Sequence, residues 1–336
     1  MKQGLVSIMM PVFNGELFLP LALDCLLAQD YANFEIIILD NQSTDGTRVI
    51  CQQYASRDSR IRYVPDDRYR ITHDAANHLA TLATGEFAML ACDDDLWVPT
   101  FLSACVGFLR THPDVGVVFP NAAYVDINGI RGESRLLAGR DIYNERHDKF
   151  GNFKRFLRHR RIVPPIFGVY RSDVMRAALP FDTFDETIAD VDNLFFLKII
   201  TMTKVHCLDE VLFYYRNKFR GLEPTLQNGI RANPNWFVVW IYFARHQRKF
   251  TARILQVIDS APFAGPQKVA LRLYTFSALV YFTSFAHLRA AVGRLLTRWG
   301  WREGVAVKKD QHHDLRVEAL KQTNYREQNA NRRGRP

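Results

Sequence analysis

Apolar runs and amphipathic segments alternate along the first 120 residues of the chain. Short runs that are apolar throughout predict buried strands, whereas apolar positions spaced three or four residues apart predict helices. The predicted strands are Leu5–Phe13, Phe34–Leu39, Ile61–Val64, Phe87–Ala91 and Gly116–Phe119, and the predicted helices are Leu17–Gln29, Ser43–Ser56, Thr72–Thr84 and Pro99–Thr111. This strand–helix order predicts an α/β fold, in which helices flank a mainly parallel sheet.

The pattern changes twice further along the chain. Residues 128–161 are rich in polar and charged side chains, which predicts an excursion over the surface. Two helices and two short strands then complete the first unit, and long basic amphipathic helices follow from Pro234. The predicted elements after the excursion are Ser172–Ala178, Ala189–Thr201, Val205–Leu208 and Val211–Tyr215. We therefore expect a first domain over residues 1–225, a helical region over 226–321 and a disordered basic tail over 322–336.

Composition narrows the class of protein. With 336 residues, of which 48% are hydrophobic, the chain can bury a large core, and this excludes disorder for most of it. Five cysteines without a C-x-x-C pair fit neither a disulfide framework nor a zinc ribbon. The apolar stretch between Arg272 and Arg289 is shorter than the roughly 20 residues of a spanning helix. We therefore expect a cytoplasmic protein without a membrane span, whose N-terminal segment is a strand and not a signal peptide.

Charge is distributed unevenly along the chain. Residues 1–240 carry 26 Lys and Arg against 29 Asp and Glu, a net of −3, whereas residues 241–336 carry 18 against 6, a net of +12. A basic segment of this kind binds nucleic acid, an anionic membrane surface or an acidic polymer, and composition does not choose among them.

Acidic side chains follow two of the predicted strands. Asp40 ends the second strand, and the triplet of Asp93, Asp94 and Asp95 comes directly after Phe87–Ala91. Three adjacent carboxylates repel one another unless a cation compensates them, and Mg²⁺ or Mn²⁺ held by carboxylate oxygens would do so. The residues alone leave two other interpretations open: Asp40 caps a turn, and the triplet is a solvated loop before the next helix.

Four segments, in this order, resemble the family 2 glycosyltransferases of the GT-A fold: Val6–Asn14, Phe34–Thr47, Thr84–Phe87 and Asp93–Pro99. The resemblance extends from about Leu5 to Arg216. It implies a GT-A, Rossmann-like domain with an inverting, metal-dependent glycosyltransferase activity. The donor would be a nucleotide diphosphate sugar, with a UDP- or dTDP-sugar favoured. The acceptor would be a hydroxyl of a glycan or a lipid-linked molecule, in the synthesis of cell-surface polysaccharide, lipopolysaccharide or another glycan.

The resemblance also implies roles for single residues. Asp40 would bind the uracil or thymine imide N–H, and Asp93 and Asp95 would hold Mn²⁺ or Mg²⁺, with Asp95 as the direct ligand. The residues implied to bind the nucleotide sugar are Pro11, Phe13, Asn14, Asp40, Asn77, Asp93 and Asp94. Arg216 is a further candidate for the diphosphate. Two positions depart from the family pattern, since Cys92 and Asn41 stand where acids are common.

An acid near the end of the first domain would act as the general base toward the acceptor hydroxyl. Asp190 matches this position best, with Ala189 in place of the usual Glu, and Asp192 is the alternative. Without the upstream motifs, the same acidic cluster would be interpreted as the N-terminus of a helix stabilised by its dipole.

The sequence gives less support to three other functions. A sugar nucleotidyltransferase needs a glycine-rich phosphate loop after the first strand, and the segment from Pro11 to Gly15 offers one glycine. A nucleic-acid-binding protein is supported by the basic C-terminal third alone, without a recognisable motif, so no nucleic acid is expected. A non-catalytic, glycosyltransferase-like scaffold stays open.

The stretch Leu273–Trp301 places apolar side chains largely along one side of a predicted helix, with arginines elsewhere. This pattern is typical of a helix that lies in a membrane interface, and also of one that packs on the first domain. Because many members of the family act on lipid-linked acceptors, we expect peripheral association with the cytoplasmic membrane face.

Overall fold

The computed structural model of the chain describes residues 1–70, 72–125, 131–137, 143–144, 146–159, 164–181, 191–216 and 236–277. Its strands are β1 Lys2–Val12, β2 Phe34–Asp40, β3 Ile61–Pro65, β4 Gly85–Leu90, β5 Leu96–Trp97, β6 Val115–Val125, β7 Arg131–Leu137, β8 Val169–Arg171 and β9 Lys204–Arg216. Its helices are α1 Leu19–Leu27, α2 Thr47–Arg57, α3 Thr72–Leu82, α4 Phe101–Thr111, α5 Lys149–His159, α6 Ser172–Ala178, α7 Val191–Met202 and α8 Trp236–Ser260. Residues 265–277 are also helical.

Within the described residues, the strands form one mixed sheet of nine, in the order β3-β2-β1-β4-β8-β6-β9-β5, with β7 paired to β6. The long ladders of β1 with β2 and β4, of β2 with β3 and of β6 with β9 are parallel. The ladders that β8, β5 and β7 make are short and antiparallel. The prediction of a mainly parallel sheet flanked by helices is confirmed.

The centre of the sheet shows why the sequence forms it. β1 is buried along most of its length, on both faces, because it lies between β2 and β4 under helices. Its residues Val6, Ile8, Met9 and Met10 are buried apolar side chains, as expected for a strand covered on each side. In register, Val12 at the end of β1 pairs with Asp40 at the end of β2. The carboxyl ends of these strands therefore lie together at one edge of the sheet, where ligands of such folds bind.

Two sequence-based predictions of secondary structure were wrong. The polar stretch 128–161 contains α5, and Phe153, Phe156 and Leu157 on that helix are buried in the core. The many arginines of this segment hid an amphipathic helix whose apolar side faces inward. The two short strands predicted for 205–208 and 211–215 are one strand, β9, whose register against β6 shifts between Pro120 and Asn121.

The described C-terminal residues pack onto the same core. Phe250, Ile254 and Ile258 of α8 are buried in one apolar cluster with the strands and helices of the sheet. The ring of Phe263 meets that of Phe153 edge-on at 5.9 Å. No helix of the described part is long and apolar enough to cross a membrane. The predicted tail 322–336 and the stretch 278–301 lie outside the described residues, and the predicted domain boundaries stay predictions.

Candidate functional site

The loops after β1 and β2 are joined by hydrogen bonds. The N–H of Asn14 donates to Ser43 Oγ at 2.9 Å, and Asn14 Oδ1 accepts from the N–H of Thr44 at 2.8 Å. The N–H of Gly15 donates to Thr47 Oγ1 at 2.8 Å. Asn14 has φ +50°, a left-handed conformation that asparagine tolerates better than most residues. Asn14, predicted to bind the nucleotide sugar, therefore holds the two loops together at the strand ends.

A second set of bonds extends this connection. The N–H of Glu16 donates to Asp45 Oδ2 at 3.1 Å, while Glu16 Oε2 accepts from the N–H of Gly46 at 2.9 Å. Burial tends to raise the pKa of Asp45, but hydrogen bonds from the Thr47 hydroxyl, the Thr47 N–H and the Glu16 N–H outweigh it and lower that pKa. The ionised carboxylate of Asp45 is thus part of the structure of the two loops.

Asp40 is buried at the end of β2 with bonds to both carboxylate oxygens. Oδ1 accepts from the N–H of Ser43 at 3.0 Å, and Oδ2 accepts from the Tyr63 hydroxyl at 2.8 Å. Burial, and then the bond to Asp40, raise the pKa of Tyr63 to about 12, so the phenol remains a donor at neutral pH. A carboxylate offers about four acceptor positions, so Asp40 is oriented by these bonds and keeps capacity for another donor.

The loop between β3 and α3 is held against the end of β2. The Asn41 side chain accepts from the N–H of Arg70 at 2.7 Å and donates to its carbonyl at 2.6 Å. Gln42 Nε2 donates to the carbonyl of Asp67 at 2.8 Å, and the side chains of Arg70 and Asp66 form an ion pair. Asn41, which departs from the family pattern, thus has a role that an acid could fill only in part, because a carboxylate cannot donate.

This loop carries an exposed aromatic side chain that the sequence analysis missed. Tyr69 is 59% exposed and meets Phe13, which is 48% exposed, edge-on at a centroid distance of 5.5 Å. Exposed apolar side chains that contact each other form a patch, and such patches mark sites of ligand or partner binding. The signal in the sequence was a single tyrosine within a polar loop, and nothing in its spacing linked it to Phe13.

The acidic triplet follows β4 at the same edge. A Cβ atom added at Gly15 would overlap Asp93 Oδ2, so Asp93 lies against the loop after β1. Cys92, Asp94 and Asp95 form a group in which one possible ligand atom of each residue lies within 4.8 Å of the other two. The structure therefore brings Asp95 together with Asp94 and Cys92, whereas the family resemblance implies Asp93 and Asp95 as the pair that holds the metal.

Negative charge accumulates at this edge. The pKa of the Cys51 thiol on α2 is raised to about 12, first by burial and then by the carboxylates of Asp40, Asp45 and Asp93. The pKa of Tyr215 on β9 is also raised, first by burial and then by Asp95, Cys92 and Asp94. Such a field favours a cation.

Arg216 lies beneath the acidic triplet, buried to 2% exposure. Its backbone N–H donates to Asp95 Oδ1 at 2.8 Å and its Nε donates to the Asp94 carbonyl at 2.7 Å. Its guanidinium lies 4.5 Å from the centroid of the Phe18 ring. Arg216 therefore supports the acidic loop from the protein side, whereas the sequence analysis considered it for contact with the diphosphate.

Two further predicted site residues lie on helices: Asn77 on α3 and Asp192 in the first turn of α7. The Asn77 amide accepts from the N–H of Phe181 at 2.8 Å and donates to its carbonyl at 3.2 Å. Asn77 thereby fixes the main chain at Phe181, three residues after the end of α6. Asp192, in the first turn of α7, lies 3.4 Å from His73 Nε2. Asp190 lies outside the described residues. Pro11 is partly buried near the end of β1.

The sequence of this chain is similar to those of known glycosyltransferases. The family model "Glycosyl transferase family 2" matches residues 7–178, just over half of the chain. The Escherichia coli enzyme WfgD, described as a UDP-Glc:alpha-D-GlcNAc-diphosphoundecaprenol beta-1,3-glucosyltransferase, is 28% identical over 133 residues, which are 40% of this chain and 51% of that protein. A Mycobacterium bovis PGL/p-HBAD biosynthesis glycosyltransferase is 26% identical over 224 residues, 60% of this chain and 86% of that protein. The chain spans about half the length of the first curated relatives that it matches.

Solved structures agree on the fold. Staphylococcus aureus TarS 1–349 aligns with a TM-score of 0.60 at 17% identity, over 82% of this chain and 72% of that one. This confirms the GT-A fold predicted from the four segments. The residues that match the family model include the loops after β1 and β2 and the acidic triplet. Because the family model matches just over half of its residues, this chain belongs to glycosyl transferase family 2.

Proposed function

We propose that this protein is an inverting glycosyltransferase that moves a sugar from a UDP- or dTDP-sugar to an acceptor hydroxyl. The observation that carries the proposal is the convergence, at one edge of the sheet, of an oriented carboxylate (Asp40), an exposed aromatic pair (Phe13 and Tyr69) and an acidic metal-type group. These three elements match the three parts of a nucleotide diphosphate sugar. The carboxylate can accept a hydrogen bond from the base, the aromatic pair offers a flat apolar surface for the base, and a metal held by the acidic group would compensate the charge of the diphosphate.

The base of the nucleotide would bind beside Asp40. An imide N–H is a donor that an ionised carboxylate accepts, and Ser43 and Tyr63 already orient that carboxylate. The rings of Phe13 and Tyr69 would cover one side of the base. TarS has been solved with UDP and with UDP-GlcNAc, which supports a nucleotide of this kind for the shared fold.

A divalent cation, Mn²⁺ or Mg²⁺, fits the acidic loop. Asp94 and Asp95 supply carboxylate oxygens, the donors that these ions prefer, at a separation that one ion can bridge. Cys92 adds a softer sulfur donor in the same group. Asp95 is the ligand expected from the sequence, and Asp93 or Asp94 would be its partner. When bound, the cation offsets the charge of the leaving nucleoside diphosphate.

The protein itself would supply the base. A carboxylate, Asp190 or Asp192, would take the proton of the acceptor hydroxyl while its oxygen attacks the anomeric carbon. The bond from that carbon to the phosphate oxygen breaks in the same step, and the nucleoside diphosphate leaves with the electron pair. One displacement inverts the anomeric configuration, and Asp192 is half exposed at the start of α7, open to an acceptor.

The names of two relatives and the C-terminal charge support a proposal for the acceptor class. WfgD is named for transfer to alpha-D-GlcNAc-diphosphoundecaprenol, and the mycobacterial relative is named for PGL/p-HBAD biosynthesis. We propose a glycan or lipid-linked acceptor in cell-surface polysaccharide synthesis, with peripheral binding to anionic membrane through the basic region. Residues 241–336 carry a net charge of +12.

A donor panel tests the proposal. Purified protein is incubated with UDP-glucose, UDP-GlcNAc, UDP-galactose, dTDP-rhamnose and GDP-mannose, and thermal unfolding and released nucleotide are measured with Mn²⁺ or with EDTA. We expect a rise in the unfolding midpoint and slow release for one uridine or thymidine donor, with Mn²⁺ only. Undiminished turnover in excess EDTA would refute the metal role. Donor binding without release, even with lipid-linked acceptors present, would favour the non-catalytic scaffold.

A further inference from the structure

A buried histidine of α3 contacts the first turn of α7. His73 Nε2 lies 3.4 Å from Asp192 Oδ1, across 119 residues of sequence. His73 is 8% exposed, whereas the side chain of Asp192 is 52% exposed. One partner is therefore fixed in the protein interior, while the other presents its carboxylate to solvent.

The surroundings of His73 leave its ring little freedom. The imidazole packs against Phe181 at a centroid distance of 6.0 Å, and Phe181 stacks on Phe195 of α7 at 4.2 Å. The two hydrogen bonds from Asn77 hold the main chain of Phe181. A buried ring that packs against a side chain whose own main chain is fixed can define the position of the carboxylate that it contacts.

The polar atoms of the ring define its role. Nδ1 is buried and has no hydrogen-bond partner among the residues that the structure describes. With its hydrogen on Nε2 the ring can donate to Asp192, whose Oδ1 is an acceptor within reach among the described residues. Two other titratable groups are nearby: Asp74 is exposed in the first turn of α3, and the pKa of Tyr170 on β8 is raised by burial and then by the charge of Asp192.

We propose that His73 is a positioning residue that donates from Nε2 to Asp192 and thereby aims the exposed part of that carboxylate at the acceptor hydroxyl. The inference rests on the proposed function, because it assumes that Asp192 is the general base of the transfer reaction. A general base must lie within about 3 Å of the oxygen that it deprotonates, so an unaimed carboxylate at a helix N-terminus would act poorly. His73 acts through Asp192 and touches no substrate.

The contact itself can be tested without catalysis. In long-range ¹H–¹⁵N spectra of the imidazole groups, Asp192→Asn should shift the ring nitrogens of His73 and leave those of His78, on the same helix, unchanged. Equal spectra for the wild type and Asp192→Asn would overturn the proposal. This measurement remains decisive even if no donor of the panel proves to be a substrate.

Kinetics then test the consequence, with release of UDP from UDP-glucose or UDP-GlcNAc as the readout. His73→Leu removes the donor but keeps an apolar side chain against Phe181, so kcat should fall about 10- to 100-fold while KM and the Kd for UDP stay within about twofold. His73→Gln, which retains an N–H donor, should recover most of kcat. His78→Leu is the matched control and should leave kcat and KM unchanged.

A double-mutant cycle separates positioning from packing. If His73 acts through Asp192, adding His73→Leu to Asp192→Asn should cause no further loss of kcat. Additive losses, a fall in UDP affinity that equals the fall in kcat, or failure of His73→Gln to recover activity would each overturn the proposal. Absence of release by the wild-type protein would instead contradict the proposed function, and the spectra would still decide whether His73 binds Asp192.

Discussion

The backbone N–H of Arg216 donates to Oδ1 of Asp95 at 2.8 Å, although 121 residues separate the two in sequence. The side chain of Arg216 binds the Asp94 carbonyl and lies against the ring of Phe18. One buried cation thus connects the end of β9, the acidic loop and the start of α1. The conformation of the acidic loop therefore depends on Arg216, the last residue of the segment that resembles the family.

We expect Arg216→Lys to weaken UDP binding in the presence of Mn²⁺ by about tenfold or more. Lysine keeps the charge, but it cannot reproduce the bond from Nε, and a hydrogen bond to a charged group contributes about 1.5–3 kcal/mol. Isothermal titration with UDP, with and without Mn²⁺, measures the effect.

Arg171→Lys is the matched control for Arg216→Lys. Arg171 also donates from Nε to a main-chain carbonyl, that of Val115, at 3.0 Å, and it lies away from the acidic loop. Its replacement should lower the free energy of unfolding and leave metal-dependent UDP affinity unchanged. Equal losses of affinity in both variants would show that Arg216 matters for stability alone.

Asparagine substitutions along the triplet should separate the metal ligands. Asp95→Asn should lose transfer activity and metal-dependent UDP affinity together, because the same carboxylate would serve both. The grouping of Cys92, Asp94 and Asp95 leads us to expect a larger loss of Mn²⁺ affinity from Asp94→Asn than from Asp93→Asn. Mn²⁺ binding followed by electron paramagnetic resonance in the presence of UDP measures each. A larger loss of Mn²⁺ affinity from Asp93→Asn than from Asp94→Asn would instead indicate that Asp93 and Asp95 hold the metal.

The sequence predicted the parallel half of the sheet well, because strands buried on both faces are apolar throughout, as Ile36–Leu39 shows. It could not predict contacts made across the fold. Tyr69 carries no local pattern, and only the tertiary fold places it beside Phe13. Arg216 is a candidate from the sequence, but its position beneath Asp95 is visible only in the fold. Helix α5 was missed for a different reason, since charged residues dominate its composition although its apolar side is buried.

Tyr69→Ala should weaken binding of UDP by about 5- to 50-fold, since stacking of a base on an aromatic ring contributes about 1–3 kcal/mol. Binding of inorganic pyrophosphate with Mn²⁺ should not change, because Tyr69 would contact the base and not the phosphates. Tyr69→Phe retains the ring and is the control, with near wild-type affinity. If Tyr69→Ala binds UDP like the wild type, the exposed pair of Phe13 and Tyr69 has another role.

The connection between the first two loops should depend on pH through Asp45. Its pKa in the folded protein lies below the ordinary value of 3.8, so its contribution to stability is present above that value and is lost as pH falls through the lowered pKa. Asp45→Asn should therefore be less stable than the wild type at pH 7, and the difference should shrink toward pH 3. Urea unfolding at the two pH values measures it. A difference that is independent of pH would mean that the charge of Asp45 contributes nothing.

The helical residues 265–277 carry an exposed apolar side. Val269, Leu273 and Phe276 are exposed by half or more, and their spacing of four and three residues places them on one side of the helix. This apolar side begins the stretch that the sequence predicts to bind a membrane interface. Truncation before α8 would not be an informative test, because it would remove Phe250 and Ile254 from the core.

Point substitutions avoid this loss of core residues. The double variant Leu273→Glu, Phe276→Glu should bind anionic vesicles at least tenfold more weakly than the wild type, because it removes apolar contact and adds charge that anionic lipid repels. Val49→Glu, at another exposed apolar position, on α2, is the control and should pellet like the wild type. Co-sedimentation with phosphatidylglycerol and with phosphatidylcholine vesicles, at low and high salt, measures binding. Since electrostatic attraction to the basic region should provide much of the affinity, wild-type binding must require the anionic lipid and weaken with salt. Equal pelleting with neutral vesicles, or no effect of the double substitution, would leave this side of the helix as a surface for other contacts.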